Sequence, residues 1–275
     1  MTTPTHPHEG IERERPGQDF ELGQSLVMQA GELVRGMLAK GDHTTEWKPD
    51  NTPVTSIDIA VNELVLEGVQ AKYPNDRIYG EEQSSDADRP SGFTWILDPI
   101  DGTQALEQRV PAFTVCLARL DTEGRPLFGI VYNPVLDELY TAARGQNTAL
   151  NGQDIHVSDR DKIKGAAIFM GSRMHHDVAS NGTFYDRIET QGGKVHNPRA
   201  LAFGCTQVAA GRADGALIGM KTPFEAAAVE LIVTNAGGTV TDVYGNPPGR
   251  LDGDIQGLVV SNGLIHESLL EALKK

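Results

Sequence analysis

Residues 95–103 read Trp95-Ile96-Leu97-Asp98-Pro99-Ile100-Asp101-Gly102-Thr103. An apolar, strand-like run ends here in two carboxylates, followed by a glycine and a threonine. Because Pro99 has no N–H for a sheet ladder, the strand is predicted to stop there, with Asp98 at its end. Gly102 and Thr103 suit a turn into a helix, whose free N–H groups attract an anion. Two hard oxygen ligands beside such a turn suit metal-assisted phosphate chemistry, although a plain strand followed by an acidic turn also fits these residues.

Three further segments extend this pattern along the chain. They are Lys48-Pro49-Asp50-Asn51-Thr52-Pro53-Val54-Thr55-Ser56-Ile57-Asp58, Tyr79-Gly80-Glu81-Glu82 and Pro223-Phe224-Glu225-Ala226-Ala227-Ala228, the last opening a helical stretch that ends at Ala236-Gly237-Gly238. In this order the four segments resemble the inositol monophosphatase family of magnesium-dependent, lithium-sensitive phosphatases. That family reads K-x-D-x-S/T-P-V-T-x-x-D, G-E-E, D-P-I/L-D-G-T and W-D-x-A-A before an A-G-G turn. The resemblance covers about residues 20–275, and the ordered set is specific although G-E-E alone is weak.

The composition limits the classes of partner. A length of 275 residues allows one long domain or two modest ones, and the net charge of −14 argues against a nucleic-acid polymer or an anionic membrane surface. Cys116 and Cys205 lie in apolar segments and are interpreted as buried thiols in a reducing compartment. Residues 1–18 are polar and lack the apolar core of a signal peptide, so a flexible arm is expected there. No run reaches the length of a membrane span, and a cytoplasmic protein is expected.

Hydrophobic periodicity divides the rest of the chain into two parts. Helices are predicted at 19–40, 57–72, 202–211, 224–236 and 264–274, and strands at 77–79, 93–97, 113–120, 127–132, 138–143, 166–170, 194–196, 215–218, 238–241 and 258–261. This order predicts an α+β domain over 19–155 and an α/β domain over 156–275. The resemblance implies that they form a layered α-β-α-β-α sandwich with the active site between the halves, where ligand sites are also expected on general grounds.

The resemblance also implies roles for individual residues. Glu81, Asp98 and the backbone carbonyl of Ile100 would hold a first magnesium ion, and Asp98, Asp101 and Glu225 a second, with a third loosely bound at Glu81. About two to three Mg²⁺ ions per site are thus implied, and without cations the carboxylates would repel one another. The catalytic residues would be Glu81, Thr103 and Asp58, with Asp58 orienting the Thr103 hydroxyl that helps to activate water. The amides of Gly102 and Thr103 would bind the phosphate. A homodimer is implied as well.

One position departs from the family pattern. Phe224-Glu225 stands where the family has Trp-Asp. The phenylalanine should preserve the packing, but the extra methylene of Glu225 moves its carboxylate by about an ångström, a displacement that can cost about a hundredfold in rate. An active phosphatase is therefore weighed against a catalytically impaired metal- and phosphate-binding protein on the same scaffold. The retained Glu81, Asp98, Asp101 and Thr103 favour the enzyme.

The sequence identifies the substrate less specifically than it identifies the family. The position at which inositol-specific members carry a hydroxyl-binding acid is Ile218, which puts inositol selectivity in doubt. Ser172, Arg173 and His175 lie in a segment that resembles the S-R/K-S-H segment of 3'(2'),5'-bisphosphate nucleotidases and are predicted to bind substrate. Arg199 and Arg212 are further candidates for attracting an anion. A small hydroxylated phosphate monoester (an inositol or sugar monophosphate) is preferred, with a bisphosphate nucleotide and histidinol phosphate as alternatives.

Overall fold

A computed structural model of the chain describes residues 17–41, 43–49, 52–85, 91–171, 179–219 and 222–274. Within these ranges the helices are α1 (Gln18–Lys40), α2 (Ser56–Lys72), α3 (Thr103–Glu107), α4 (Asn181–Thr190), α5 (Leu201–Ala209), α6 (Ala226–Asn235) and α7 (His266–Leu273). The strands are β1 (Thr45–Trp47), β2 (Pro53–Thr55), β3 (Arg77–Gly80), β4 (Thr94–Asp101), β5 (Thr114–Leu120), β6 (Pro126–Asn133), β7 (Glu138–Ala143), β8 (Ala149–Leu150), β9 (Gln153–Asp154), β10 (Ala167–Met170), β11 (Lys194–His196), β12 (Gly215–Ile218), β13 (Thr239–Thr241) and β14 (Leu258–Ser261).

Two large sheets organise these elements. The first has seven strands in the order β3-β4-β5-β6-β7-β8-β9, antiparallel except for the parallel pair β3–β4. The second has five strands in the order β11-β10-β12-β14-β13, with β10 parallel to both its neighbours. A separate hairpin pairs β1 with β2. The meander and the later alternation of strands and helices agree with the periodicity of the sequence.

Three apolar cores stack these sheets between helices. The first packs α1 and α2 on one face of the seven-stranded sheet, and the second fills the space between that sheet, α5, α6 and the five-stranded sheet. The third packs α4 and α7 on the far face of the five-stranded sheet. Since each sheet is covered by apolar side chains on both faces, the layers run α-β-α-β-α, as predicted. The division into domains at about residue 155 stays a prediction.

The end of β4 corrects one expectation. The strand was predicted to stop at Pro99, but it continues to Asp101. Asp98 is in register with Cys116 and Asp101 with Thr114, so Pro99 and Ile100 lie in a register shift between these pairs. Because residues in a bulge leave the regular ladder, the missing N–H of Pro99 does not end the strand. Asp98 therefore stands inside a buried strand rather than at its end.

Other boundaries follow the sequence closely. The predicted helices begin and end within two residues of the observed ones, and Gly41 ends α1 in a left-handed conformation. Cys116 and Cys205 are buried free thiols, as expected. Helix α4 and the short strands β1, β2, β8 and β9 were not predicted. In the described ranges no helix is both long and apolar enough to cross a membrane.

Candidate active site

The register shift at the end of β4 presents two buried carboxylates. Asp98 is 4 % exposed, and its Oδ1 atom is buried without a hydrogen-bond partner. The carboxylate of Asp101, in contrast, accepts the N–H groups of Leu201 at 2.8 Å and Phe203 at 3.2 Å. These N–H groups lie in the first turn of α5, where helical donors have no partner of their own. Asp101 therefore caps α5 and ties the seven-stranded sheet to the central helical layer.

The position after the bulge, residue 102, requires glycine. Gly102 has φ of 95°, and a Cβ atom on it would lie 2.7 Å from the Cβ atom of Ala200. The chain turns there into the short helix α3, which begins at Thr103, as the sequence predicts. The Thr103 hydroxyl is thereby brought close to Asp58 of α2.

A polar chain fixes the Thr103 hydroxyl. Its Oγ1 atom donates to Asp58 Oδ1 at 3.0 Å and also lies 3.3 Å from the Ile100 carbonyl. The other oxygen of Asp58 accepts the backbone N–H of Thr55 at 2.9 Å and the Thr55 hydroxyl, in a capping box at the start of α2. Burial raises the pKa of Asp58 to about 6, although these hydrogen bonds oppose the rise. The Asp58 carboxylate is thus held in one orientation before any ligand binds.

Glu81 lies beside the pair of carboxylates but faces a lysine. Lys48 Nζ is 3.1 Å from Glu81 Oε1 and 2.6 Å from Glu82 Oε1. Burial acts to lower the pKa of Lys48, but the Glu82 hydrogen bond and the charge of Glu81 raise it above its usual value. The sequence placed Lys48 in a motif and gave it no role. The contact joins residues 33 positions apart, so no local pattern reveals it.

Glu225 completes the acidic cluster from the central helical layer. It stands at the start of α6, is 5 % exposed and lines the same cavity as Asp98 and Asp101. The neighbouring Phe224 packs its ring against Tyr79, with the centroids 4.9 Å apart. The aromatic packing expected of this position is therefore made by phenylalanine.

Three buried carboxylates of this cluster, those of Asp98, Asp101 and Glu225, are driven towards their neutral forms. Burial, followed by the charge of Asp101, raises the pKa of Glu225 to about 8. Burial raises the pKa of Asp101 to about 6 despite the hydrogen bonds it accepts. The pKa of Asp98 lies well above its usual range because of burial and the neighbouring charges of Glu81, Asp101 and Glu225. Such a cluster gains stability from any cation that replaces its protons.

The donor set fits a divalent cation. Carboxylate and carbonyl oxygens are the ligands that Mg²⁺ prefers, and Asp98 Oδ1 is a buried acceptor without a partner. In the part of the chain that the structure describes, no three His, Cys, Asp or Glu side chains are already arranged to hold a metal ion. Glu81 contacts Lys48 through Oε1, and the carboxylate of Asp101 accepts N–H groups at the start of α5. A bound cation would share these carboxylates with the lysine and with the N–H groups of α5.

A cavity of about 380 Å³ joins these groups. Its lining residues are Lys48, Thr52, Pro53, Glu81, Asp98, Ile100, Asp101, Gly102, Thr103, Gln104, Gly171, Arg199, Leu201, Thr222, Phe224 and Glu225. The predicted metal, phosphate and catalytic residues thus share one cavity, except Asp58, which touches it through Thr103.

The residues that the sequence predicts to contact the substrate differ in where the structure places them. Ser172, Arg173 and His175 lie outside the described residues. Ile218 is fully buried in β12 and does not line the cavity. Arg212 bonds to Glu138 at 2.6 Å and does not line it either, whereas Arg199 does.

The raised pKa values predict how pH acts on the metal-free protein. A group with a folded pKa above its unfolded value stabilises the fold below the unfolded pKa, and this contribution is lost as pH rises through the folded pKa. For Asp101 and Glu225 that window runs from about pH 4 to the folded values of about 6 and about 8. We therefore expect Mg²⁺ to raise the melting temperature more at about pH 8.5 than at about pH 6. Thermal unfolding in chelator and in Mg²⁺ measures this, and an equal Mg²⁺ effect at both pH values would contradict it.

Comparisons with known proteins identify related chains. Residues 18–275 match the family model described as "Inositol monophosphatase family". The chain is 34 % identical to a histidinol-phosphatase of Chlorobaculum parvum over 258 residues, covering 93 % of this chain and 96 % of that protein. It is 30 % identical to an inositol monophosphatase of Dictyostelium discoideum over 264 residues, covering 93 % and 95 %. The crystal structure of the extragenic suppressor protein suhB from Bartonella henselae superposes with a TM-score of 0.84 at 27 % identity, covering 94 % of this chain and 99 % of that one.

Proposed function

The chain belongs to the inositol monophosphatase family of phosphatases, and from that premise we propose that it is a Mg²⁺-dependent phosphomonoesterase. Its substrate in this proposal is a small hydroxylated phosphate monoester, such as an inositol or sugar monophosphate. One observation carries the proposal: the oriented Thr103 hydroxyl and the buried, mutually repelling carboxylates around Asp98 open onto one cavity. A cation site beside a positioned hydroxyl is what hydrolysis of a phosphate ester requires.

The proposed ligands follow from the donor atoms in this cavity. Glu81, Asp98 and the Ile100 carbonyl would hold one Mg²⁺, and Asp98, Asp101 and Glu225 another, with a third loosely held ion at Glu81. When bound, such ions neutralise the charge of the phosphate and lower the pKa of water. Asp98 belongs to both sets, which agrees with its having the cluster's buried oxygen without a hydrogen-bond partner.

The protein's own groups would position the reactants. Because the Thr103 hydroxyl donates its proton to Asp58 or to the Ile100 carbonyl, its lone pairs can accept a hydrogen bond from the attacking water. Thr55 prevents Asp58 from turning away. The backbone N–H groups of Gly102 and Thr103 would receive phosphate oxygens at the turn into α3. Thr103 and Asp58 would thus orient the water, and Glu81, which lines the same cavity, would be the third catalytic residue.

Two other substrates belong to the same proposal as alternatives. Histidinol phosphate is favoured by the 34 % identity to the histidinol-phosphatase. Recognition of a 3'(2'),5'-bisphosphate nucleotide would depend on Ser172, Arg173 and His175, which lie outside the described residues. The fully buried Ile218 offers no hydroxyl-binding group to an inositol ring. In the cell we propose a lithium-sensitive, cytoplasmic homodimer that acts on small molecules and binds neither membranes nor nucleic-acid polymers.

Phosphate release tests the proposed function directly. Purified protein at about pH 8 would be assayed with and without Mg²⁺ on inositol 1-phosphate, 3'-phosphoadenosine 5'-phosphate, histidinol phosphate and fructose 1,6-bisphosphate. Mg²⁺-dependent turnover that lithium suppresses supports the proposal, and the fastest substrate identifies its class. If the protein binds Mg²⁺ but releases phosphate from none of the four substrates, the catalytically impaired binding protein is favoured.

Two substitutions test the proposed role of Glu225 as a metal ligand. Glu225→Gln keeps the length of the side chain and removes its charge, whereas Glu225→Asp keeps the charge and shortens the side chain. Residues that hydrogen-bond to a metal ligand usually contribute about 10–100-fold to metal affinity or activity. Loss of the charge of a ligand itself should therefore lower kcat/KM by roughly 100-fold or more. We expect Glu225→Asp to retain or raise activity, because aspartate is the residue that the family pattern has at this position. Equal and complete loss in both variants would show that the site has been rebuilt around the longer glutamate.

A further inference from the structure

Two basic side chains among the described residues line the cavity, and they differ in their partners. Lys48 is engaged by the carboxylates of Glu81 and Glu82 at 3.1 and 2.6 Å. Arg199 Nη1 instead donates to the neutral amide oxygen of Gln104. A carboxylate partner offsets a positive charge, whereas an amide orients a guanidinium and leaves its charge in place. Among the described residues Arg199 therefore has no carboxylate within ion-pair distance, and it brings positive charge to a cavity that carboxylates also line.

The backbone around Arg199 is fixed on both sides. Arg199 is a non-glycine residue in the left-handed region, with φ of 60°, and its N–H donates to Asn197 Oδ1 at 3.0 Å. On the other side, Asp101 accepts the N–H of Leu201 at 2.8 Å. A left-handed conformation is unfavourable for an L-residue and persists only where the surroundings hold it. The side chain thus leaves a constrained turn whose position relative to Asp101 is set.

Gln104 places the guanidinium near the phosphate-binding turn. It follows Thr103 in α3, so Arg199 bonds to the residue next to the proposed site of hydrolysis. A phosphate held at Gly102 and Thr103 would leave the rest of the substrate within the same cavity of about 380 Å³. A guanidinium offers several N–H donors in a planar fork that matches phosphate and carboxylate oxygens. A second anionic group is the substrate feature that this arrangement can bind.

We propose that Arg199, oriented by Gln104, is a specificity-determining residue that binds a second anionic group of the substrate. The substrate class is then a phosphate monoester that also carries another phosphate or a carboxylate. This inference rests on the proposed function, because it assumes that the scissile phosphate lies at Gly102 and Thr103. Among the hydroxylated phosphate esters, Arg199 would favour those that carry two anionic groups.

Matched ligand pairs test this assignment. Adenosine 3',5'-bisphosphate would be compared with adenosine 3'-phosphate, fructose 1,6-bisphosphate with fructose 1-phosphate, and glucuronic acid 1-phosphate with glucose 1-phosphate. Dissociation constants would be measured by calorimetry with Ca²⁺ in place of Mg²⁺, since Ca²⁺ also takes oxygen ligands. The same samples would be assayed for kcat and KM with Mg²⁺. The first two pairs report a second phosphate and the third reports a carboxylate.

Three variants complete the test. Arg199→Gln removes the charge, and Gln104→Glu supplies a carboxylate that would neutralise it without removing the arginine. Arg125→Gln is the control, because it changes the net charge equally at a side chain that is 70 % exposed and does not line the cavity. A charge-assisted hydrogen bond corresponds to a preference of about 10- to 100-fold for the doubly anionic ligand of at least one pair. Both cavity variants should reduce this preference to less than about threefold, mainly through Kd and KM, while Arg125→Gln retains it.

The outcomes distinguish this inference from the proposed function. A binding preference that disappears in Arg199→Gln and Gln104→Glu supports the inference even if no ligand is hydrolysed, in which case the proposed function fails alone. Equal binding of both members of every pair by the unsubstituted protein overturns the inference. A preference that survives Arg199→Gln overturns it as well, even where turnover confirms the phosphatase.

Discussion

Replacing Asp98 with asparagine should abolish turnover and leave the metal-free fold intact or more stable. Asp98 is 4 % exposed, has a buried oxygen without a hydrogen-bond partner and is repelled by Glu81, Asp101 and Glu225. The amide is nearly isosteric and neutral, so it removes this repulsion. It also removes the charge that both proposed ions share. We therefore expect kcat to fall by at least about 1,000-fold, beyond the 10–100-fold typical of groups that only support a ligand.

Asp76→Asn is a matched control for this substitution. Asp76 is also 4 % exposed, but it accepts hydrogen bonds from Trp95 and Arg119 and lies outside the cavity. Its substitution should therefore lower stability and leave kcat nearly unchanged, the reverse of the Asp98 pattern. Phosphate release at saturating Mg²⁺ and thermal unfolding in chelator measure both effects. Normal activity of Asp98→Asn would contradict the assignment of Asp98 as a metal ligand.

The largest effect on stability is expected at Arg119 of β5. Its guanidinium bonds to Asp76 at 2.8 Å and to Asp19 of α1 at 2.7 Å, and it lies over the Phe93 ring at 4.4 Å. Breaking a buried ion pair by removing one partner typically costs about 3–5 kcal/mol, because the other charge stays buried and uncompensated. Arg119→Met should lower the free energy of unfolding by an amount in that range, as measured by urea titration.

Two further variants identify the cause of that loss. Arg119→Met combined with Asp76→Asn removes the stranded charge as well, so it should recover part of the stability. Arg125→Gln breaks the exposed pair with Glu123 and should cost less than about 1 kcal/mol. If Arg119→Met lowered the free energy of unfolding no more than Arg125→Gln does, the ion pairs of Arg119 would not hold α1 and the turn before β3 against the sheet.

The sequence was most informative where a local rule and the tertiary structure agree. The helices α1 and α2 have clear apolar periodicity, and Gly41 ends the first of them. The meander β5–β7 alternates long strands with recognisable turns. Helix α4 was missed because it contributes little to the core: Phe184 and Ile188 are its fully buried large side chains among those described. The exposed strand β1 was missed because none of its residues is buried.

The candidate site shows where sequence reasoning stops. Its residues could be named from four motifs, but their contacts join distant parts of the chain. The Thr103–Asp58 bond spans 45 positions and the Asp101–Leu201 bond spans 100, so no local pattern specifies them. The prediction that β4 ends at Pro99 was wrong because proline was treated as a member of the ladder. In the structure it lies in the register shift that separates Asp98 from Asp101.

Calorimetric titration of the metal-free protein with Mg²⁺ tests the central claim most directly. Burial raises the pKa of Glu225 to about 8, so at about pH 7 this residue would hold a proton that an incoming cation displaces. Binding should therefore release protons, and its heat should depend on the ionisation enthalpy of the buffer. We predict saturable binding of at least two ions with proton release in the unsubstituted protein, and its loss in Asp98→Asn. Absence of Mg²⁺ binding, or unchanged binding by Asp98→Asn, would contradict a metal site at this cluster.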